Sequence, residues 1–183
     1  MKKIISSITV SLLLMGNAYA EQQTYVSLKY TNGSGTETHD YSTGYSREGK
    51  FDMSEKSLGV GFQSNSNKIE LNYNIMDTDA HDLKSYGIDY IKSLDKLSFN
   101  TGKFKIKPEF DIGLKHYQDT VNDRSGIGMK LGVGLSTELS KNLEVGIGYE
   151  YQYIKWETLD GYYTDIDTSA SLFDFMIFGR VKF

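Results

Sequence analysis

The segment from residue 173 to residue 183 alternates strictly between two kinds of side chain. One parity is almost wholly apolar and consists of Phe173, Phe175, Ile177, Gly179, Val181 and Phe183. The other parity carries all the charge and consists of Asp174, Met176, Phe178, Arg180 and Lys182. Successive side chains of a β-strand point to opposite faces, so a period of two residues is typical of a strand with one apolar face. The segment therefore predicts a half-buried β-strand.

Seven earlier segments repeat this alternation. Their apolar positions are Val26, Leu28, Tyr30; Leu58, Val60, Phe62; Ile69, Leu71, Tyr73, Ile75; Tyr86, Ile88, Tyr90; Ile106, Pro108, Phe110, Ile112, Leu114; Ile127, Met129, Leu131, Val133, Leu135; and Leu143, Val145, Ile147, Tyr149, Tyr151, Tyr153. Their lengths suit the roughly 9 to 11 residues that a tilted strand needs to cross a bilayer core. We therefore predict an all-β fold, an eight-stranded antiparallel transmembrane β-barrel of up-and-down topology that occupies residues 21–183.

Short and long connections alternate between these segments. Short polar turns are predicted at 64–67 and 140–142, and longer connections at 31–55, 77–83, 118–125 and 157–167. The connection 92–103 breaks the parity, and we place its tip at Asn100–Gly102. Outer-membrane barrels have short periplasmic turns and longer extracellular loops. We therefore expect both termini in the periplasm and the long, predominantly acidic connections outside the cell.

Composition excludes several other classes of protein. The formal net charge is −4, which argues against a nucleic-acid partner because such partners require a basic face. The chain has no Cys, which excludes disulfides, thiolate chemistry and a lipid-modified cysteine. No segment reaches the ~18 apolar residues that a membrane-spanning helix requires. A helical membrane protein is therefore excluded.

The first twenty residues have the features of a secretory signal peptide. Lys2 and Lys3 form a basic region, residues 4–15 are mostly apolar, and 18–20 form an A-x-A cleavage site. We expect residues 1–20 to be removed, so that the mature chain begins at Glu21.

The second parity of the strands carries charged, polar and glycine residues that would fill the barrel interior. An eight-stranded barrel has a bore that side chains can just fill. Unpaired charge is costly in such an enclosed space, so a balanced set of acids and bases predicts mutual pairing rather than an open channel. The predicted lumen charge network consists of Glu109, Asp111, Lys115, Lys130, Glu150 and Arg180.

The alternation, the A-x-A signal and the final Phe183 make the chain resemble the small eight-stranded outer-membrane barrels of the OmpA/OmpX type. The resemblance extends over essentially the whole mature sequence. In that family a terminal aromatic residue is part of the signal read by the barrel-assembly machinery, which implies this role for Phe183 together with Val181. Many members have an aromatic residue where this chain has Val181. Functions in the family range from adhesion and envelope stability to lipid modification, so the fold selects none of them.

The titratable residues predict no catalytic or metal centre. His39, His81 and His116 lie in or beside connections, where a solvated histidine is a simpler interpretation than a general base. Acidic residues at 77–82 and 160–167 could offer oxygen ligands to a divalent cation, but their spacing fits no complete calcium loop. We expect no catalytic residue, no cofactor and no metal.

Aromatic residues form a predicted girdle and a predicted set of loop contacts. The girdle at the outer membrane interface consists of Tyr149, Tyr151, Tyr153 and Trp156. Candidate contacts beyond the membrane are Tyr41, Tyr45, Phe51, Tyr162 and Tyr163. A loop cap that packs on itself is the alternative for this second set.

These features predict a non-enzymatic, monomeric outer-membrane barrel that displays acidic loops and acts in adhesion or envelope integrity. Its expected partners are outer-membrane lipid, lipopolysaccharide, the barrel-assembly machinery and a host or envelope protein. The first alternative is a narrow passive channel, which requires a continuous water path through the lumen. The second is a lipid-A-modifying enzyme, although the chain has no His-x-Ser pair of the kind such enzymes carry.

Overall fold

The computed structural model describes residues 22–79, 82–159 and 165–183. The predicted signal peptide, residues 1–20, lies outside them. The strands are β1 (Gln22–Tyr41), β2 (Ser46–Ser64), β3 (Asn67–Thr78), β4 (Asp82–Ser93), β5 (Phe99–Thr101), β6 (Phe104–Asp119), β7 (Arg124–Ser140), β8 (Leu143–Trp156) and β9 (Ile166–Lys182). A short 3₁₀ turn, Asp95–Leu97, precedes β5. Within the described residues, no helix is both long and apolar enough to span a membrane.

Eight of these strands form a closed antiparallel ring. Apart from β4 and β5, strands that follow one another in the chain pair side by side, and the pairings β4 with β6 and β1 with β9 complete the ring. β5 only extends the edge of β6. Closure gives each ring strand a partner on both sides along the body of the barrel, which removes the open edges that an isolated sheet would have there. The predicted eight-stranded, up-and-down barrel is confirmed.

The register turns the two parities of each strand to opposite sides of the wall. Apolar side chains face outward, and Leu28, Val133 and Ile147 expose 65%, 56% and 50% of their surface. Charged side chains face inward, and Lys130 and Glu150 each expose 1%. A water-soluble barrel would have the reverse arrangement. The outer surface is therefore suited to lipid, as expected for a transmembrane barrel.

The two ends of the barrel differ. The lower end carries the turns at 65–66, 102–103 and 141–142, and the upper end carries the turn between β1 and β2. The long connection predicted at 31–55 is wrong in extent, because β1 and β2 continue as a paired hairpin and only residues 42–45 join them. Gly44 in that turn has φ +85°, which glycine adopts without strain. β1 also pairs with β9 along this hairpin, so its polar backbone is bonded within the sheet.

The connection 92–103 contains a short strand that the sequence pattern did not predict. β4 leaves β6 after the pair Ser93 and Glu109, and β5 then takes its place beside the start of β6. The hairpin turns at Gly102, with φ +61°, and Lys103. Its tip, Gly102 and Lys103, shares only Gly102 with the predicted Asn100–Gly102, because Asn100 and Thr101 belong to β5.

Candidate functional site

Inward-facing glycines make room for charged side chains in the bore. A Cβ atom on Gly113 would overlap Asp89 Oδ1, and one on Gly132 would lie 2.6 Å from Asp111 Oδ2. Real Cβ contacts are longer than this, so both positions need the absence of a side chain. The glycines of the strands thus leave space in the bore for the carboxylates. They do not form a phosphate-binding loop, which would require a turn into a helix.

Four buried residues form a ring of ion pairs near the lower end, here called the lower cluster: Lys68, Glu109, Glu144 and Arg180. Lys68 Nζ lies 2.8 Å from Glu144 Oε1, and Arg180 Nη1 lies 2.8 Å from Glu109 Oε2. Lys68 also pairs with Glu109, and Arg180 with Glu144. Each acid therefore contacts both bases, which compensates the cost of burying the four charges.

Lys130 is the centre of a second set of ion pairs, the middle cluster. Its Nζ atom lies 3.2 Å from Asp111 Oδ1 and 3.1 Å from Glu150 Oε1, and it also pairs with Asp89. Lys29 Nζ is 2.8 Å from the same Glu150 oxygen. These residues come from β1, β4, β6, β7 and β8. The cluster therefore connects opposite walls of the barrel.

A third polar group lies above the middle cluster. Lys115 Nζ is 3.1 Å from Glu55 Oε1 and donates a hydrogen bond of 3.1 Å to Gln152 Oε1. The hydroxyl of Tyr117 donates to the same amide oxygen at 2.5 Å, and Gln152 Nε2 donates to Asp174 Oδ2 at 3.1 Å. Gln152 thus joins the charged part of the bore to the residues above it.

An apolar layer fills the bore near its upper end. It consists of Met53, Met76, Leu83, Tyr117, Ile154, Trp156, Ala170 and Leu172. The predicted place of Trp156 in the outer girdle is wrong, because its exposure is 3% and it faces inward. Parity could have shown this, since Trp156 shares the parity of Gln152, whereas Tyr151 faces outward. The sequence prediction missed the rest of the layer because it placed Met53 and Leu83 in connections and searched the inward parity of the strands for charge.

Little free space remains between the clusters. A cavity of about 20 Å³ lies between the middle and lower clusters, bordered by residues that include Asp89, Lys130 and Arg180. A single water needs at least roughly 10–15 Å³ of such volume. The cavity therefore has space for about one water molecule, and the bore as the described residues form it is a packed interior.

Arg124 holds the upper mouth together. Its guanidinium contacts Glu37 Oε1 at 2.7 Å and Asp119 Oδ2 at 3.2 Å, and lies 4.5 Å from the ring centre of Trp156. Burial alone would raise the pKa of Asp119. Hydrogen bonds from the Asn122 side chain and backbone, from the backbone of Val121 and from Arg124 outweigh it and hold that pKa below its usual range. Asp119 is thus ionised and bound at the rim.

The candidate loop contacts have different positions. Tyr41 and Tyr45 lie on the β1–β2 hairpin with ring centres 5.6 Å apart, and Tyr45 is 62% exposed. Phe51 is half-buried and packs against the apolar layer at the upper mouth. Tyr162 and Tyr163 lie outside the described residues.

The histidines form no catalytic group in the described residues. His39 Nδ1 is 3.1 Å from Thr168 Oγ1, and its Nε2 is 3.3 Å from Glu37. The ring of His116 packs 4.9 Å from that of Tyr86, and His81 lies outside the described residues. No group of three possible metal ligands occurs in the part of the chain that the structure describes.

The six residues of the predicted charge network all lie in the bore, but not as one network. Glu109 and Arg180 belong to the lower cluster, whereas Asp111, Lys130 and Glu150 belong to the middle one. Lys115 lies above both. The sequence pattern places Lys29, Lys68, Asp89 and Glu144 on the same inward parity, but the predicted network did not include them, and it placed Glu55 in a loop.

Comparison with solved structures identifies the same architecture in small outer-membrane barrels. Neisserial surface protein A superposes with a TM-score of 0.52 at 18% identity, covering 90% of this chain and 100% of that protein. Outer membrane protein H of P. aeruginosa superposes with a TM-score of 0.52 at 16% identity, covering 88% and 99%. No protein-family model and no curated protein matches the sequence. At these identities the likeness establishes the fold: the chain is an eight-stranded barrel of the outer-membrane type.

Proposed function

We propose that this protein is a non-enzymatic outer-membrane barrel that acts as a filled scaffold for an extracellular hairpin. The filled bore is the observation that carries the proposal. Two ion clusters and an apolar layer occupy it, and the free volume between the clusters is about 20 Å³. A channel needs a continuous water path through the bore, whereas a scaffold does not.

An outer-membrane location is supported by the outer surface. Large apolar side chains remain exposed around the ring, among them Leu58, Tyr86, Leu114 and Phe173. On a protein in water such a continuous apolar surface would promote association. We propose that the lower end lies in the periplasm and the upper end outside the cell, because the upper end carries the extended β1–β2 hairpin and the more acidic connections. The exposed apolar side chains around the ring, here called the belt, are then in contact with lipid and lipopolysaccharide.

The upper part of the β1–β2 hairpin supports a role in contacts with other molecules. β3 pairs with β2 only from Met53, so residues 46–52 of β2 have β1 on one side and no described strand on the other. Within this edge, the backbone N–H of Asp52 donates to Asp79 Oδ2 at 3.4 Å. Six of these seven residues are exposed. A free strand edge offers backbone N–H and C=O groups that an extended peptide can join. A host or envelope protein that presents such a segment fits this edge.

A conductance measurement tests the filled scaffold against the narrow channel. The purified barrel is inserted into planar lipid bilayers, with a known porin as the control for insertion. We expect no steady current from wild-type protein. A reproducible ion current would overturn the scaffold and favour the channel. Gain of a modified lipid A in cells that express the protein would instead favour the enzyme.

Two adjacent proline substitutions test the hairpin edge. Neighbouring residues of a strand direct their N–H groups to opposite edges. Of the variants Gly49→Pro and Lys50→Pro, one therefore loses a hydrogen bond to β1, and the other loses a donor at the free edge. Attachment of expressing bacteria to cultured epithelial cells is the readout. The variant that loses the free-edge donor should lose attachment while its barrel stays intact. Full attachment by both variants would contradict the role of the edge.

A further inference from the structure

An apolar groove crosses the outer wall near the lower end of the barrel. Its volume is about 520 Å³, and its lining includes Phe99, Ile106, Leu135, Val145 and Ile147. All of these are apolar, and they face the same side as the lipid-facing belt. The groove therefore lies in the part of the wall that the proposed function places in the inner leaflet of the membrane.

Register explains why a groove forms here. One row of directly paired residues across β5, β6, β7, β8 and β9 is Phe99, Ile106, Thr137, Val145 and Gly179. The side chains shorten along this row, and a Cβ atom on Gly179 would have its nearest neighbour 4.0 Å away. The next row toward the upper end has longer side chains and contains Leu135, Ile147 and Ile177. Phe99 of β5 closes one end.

The shape suits a hydrocarbon chain. Neighbouring strands lie about 4.8 Å apart, so the floor from β6 to β9 is roughly 14 Å long. The row runs perpendicular to tilted strands, and it therefore crosses the wall obliquely rather than parallel to the membrane plane. A flexible chain of CH₂ groups can lie along such a floor, whereas a branched or polar ligand finds no hydrogen-bonding side chain there except Ser136 and Thr137.

Positive charge lies at the lower ends of the same strands. Lys103 is in the β5–β6 turn and Lys141 is in the β7–β8 turn, and both are exposed. Within the described chain neither forms an ion pair, while the nearby Glu138 already pairs with Lys107 at 3.0 Å and Lys182 at 2.9 Å. Two uncompensated ammonium groups at the end of an apolar groove complement an amphiphile with an anionic head.

We propose that this groove binds one acyl chain of an anionic phospholipid, with the phosphate at Lys103 and Lys141. The proposal rests on the proposed function in one respect, namely that the belt is inserted in a membrane. It goes beyond that function by naming a lipid class and a fixed place for it. The site would select phosphatidylglycerol over the zwitterionic phosphatidylethanolamine because only the former leaves a net negative charge beside the lysines.

Fluorescence quenching by brominated lipid tests the site. Trp156→Phe removes the native tryptophan, and Ile106→Trp places a reporter at the groove. Ile69→Trp is the matched control, because Ile69 and Ile106 are each the third residue of a strand that leaves a lower turn. The variants are reconstituted in phosphatidylcholine vesicles that contain a small fraction of phosphatidylglycerol or phosphatidylethanolamine with brominated acyl chains.

We expect brominated phosphatidylglycerol to quench the Ile106→Trp reporter with about 30-fold higher apparent affinity than phosphatidylethanolamine, from roughly the effect of two lysines at a membrane surface. Lys103→Ser combined with Lys141→Ser should abolish this preference, and Thr137→Phe should reduce quenching by both lipids. At Ile69→Trp the two lipids should quench equally. Equal quenching by both lipids at Ile106→Trp would overturn the proposal. Failure of quenching at both reporters would instead show that the barrel is not inserted, which contradicts the proposed function itself.

Discussion

Lys130 contacts three carboxylates, so its removal leaves more buried charge uncompensated than the removal of a surface lysine would. We predict that Lys130→Met destabilises the barrel by about 3–5 kcal/mol, because Asp89, Asp111 and Glu150 then lose a shared counter-ion. Denaturant-induced unfolding in detergent micelles measures the change. Lys56→Met is the control, since Lys56 Nζ lies 3.9 Å from Asp77 at an exposed site and should cost at most about 1 kcal/mol.

The double variant separates charge from packing at the same residue. Lys130→Met together with Asp111→Asn removes one acid along with the base, so it should cost less than the sum of the two single changes. Equal destabilisation by Lys130→Met and Lys56→Met would show that the middle cluster carries no special weight.

Two glycines of β6 and β9 test how tightly the wall and bore are packed. Gly113→Ala would place a methyl group against the Asp89 carboxylate, whereas Gly179→Ala would place one in open space on the outer wall. We predict a loss of about 1–3 kcal/mol for the first and less than about 0.5 kcal/mol for the second. Thermal unfolding of the two variants provides the comparison. The opposite order of stabilities would contradict the inward assignment of Gly113.

Asp119 predicts part of the response to acid. Because its pKa is lower in the folded chain than in the unfolded chain, its charged form stabilises the fold above the unfolded pKa of about 3.9. That contribution is lost as the pH falls through the folded pKa. Lowering the pH from about 6 to about 3 should therefore reduce the Tm of wild type more than that of Asp119→Asn. An identical reduction in both proteins would show that the rim bonds do not contribute.

At the scale of the strand, parity decides which substitutions the membrane tolerates. Val133 faces outward near the middle of β7, so Val133→Arg should cost about 2–4 kcal/mol in a lipid bilayer. Thr38→Arg is the matched change on the outward face of β1 above the belt, and it should be nearly neutral. The free energy of unfolding from lipid vesicles is the measurement. Comparable costs at the two positions would place the membrane elsewhere along the strands.

The transmembrane parts of the strands could be predicted from sequence, but their upper extensions could not. Between residues 22 and 30 apolar and polar side chains alternate, so the period of two is visible. From Thr31 to Tyr41 both faces of β1 are mostly polar or glycine, and a strand with two polar faces has no such pattern. What makes it a strand is pairing with β2 and β9, which lie at distant positions in the chain. The 3₁₀ turn and β5 were not predicted either, because their segment also lacks the period of two residues.

For the whole molecule, the sequence predicts which side chains enter the bore but not which of them meet. The inward parity identifies Lys68, Glu109 and Arg180 as neighbours of the lumen. Their pairing depends on the stagger of strands around the ring, which no single strand specifies. Trp156 was assigned wrongly because a residue class, the interfacial aromatic, was given more weight than its parity. The register between strands is therefore the feature of a barrel that is hardest to predict from its sequence.

The ion clusters also constrain how the chain reaches its native state. Lys29 and Glu150 are 121 positions apart, and Lys68 and Glu144 are 76 positions apart. The inward charges Lys29, Lys68 and Asp89 of the first half of the chain therefore meet their counter-ions only when the second half arrives. Contacts between such distant positions are slow to form because long loops must close first. The energetic reward of these contacts comes only when β9 meets β1, which favours a single cooperative closure over the stepwise accumulation of stable partial barrels.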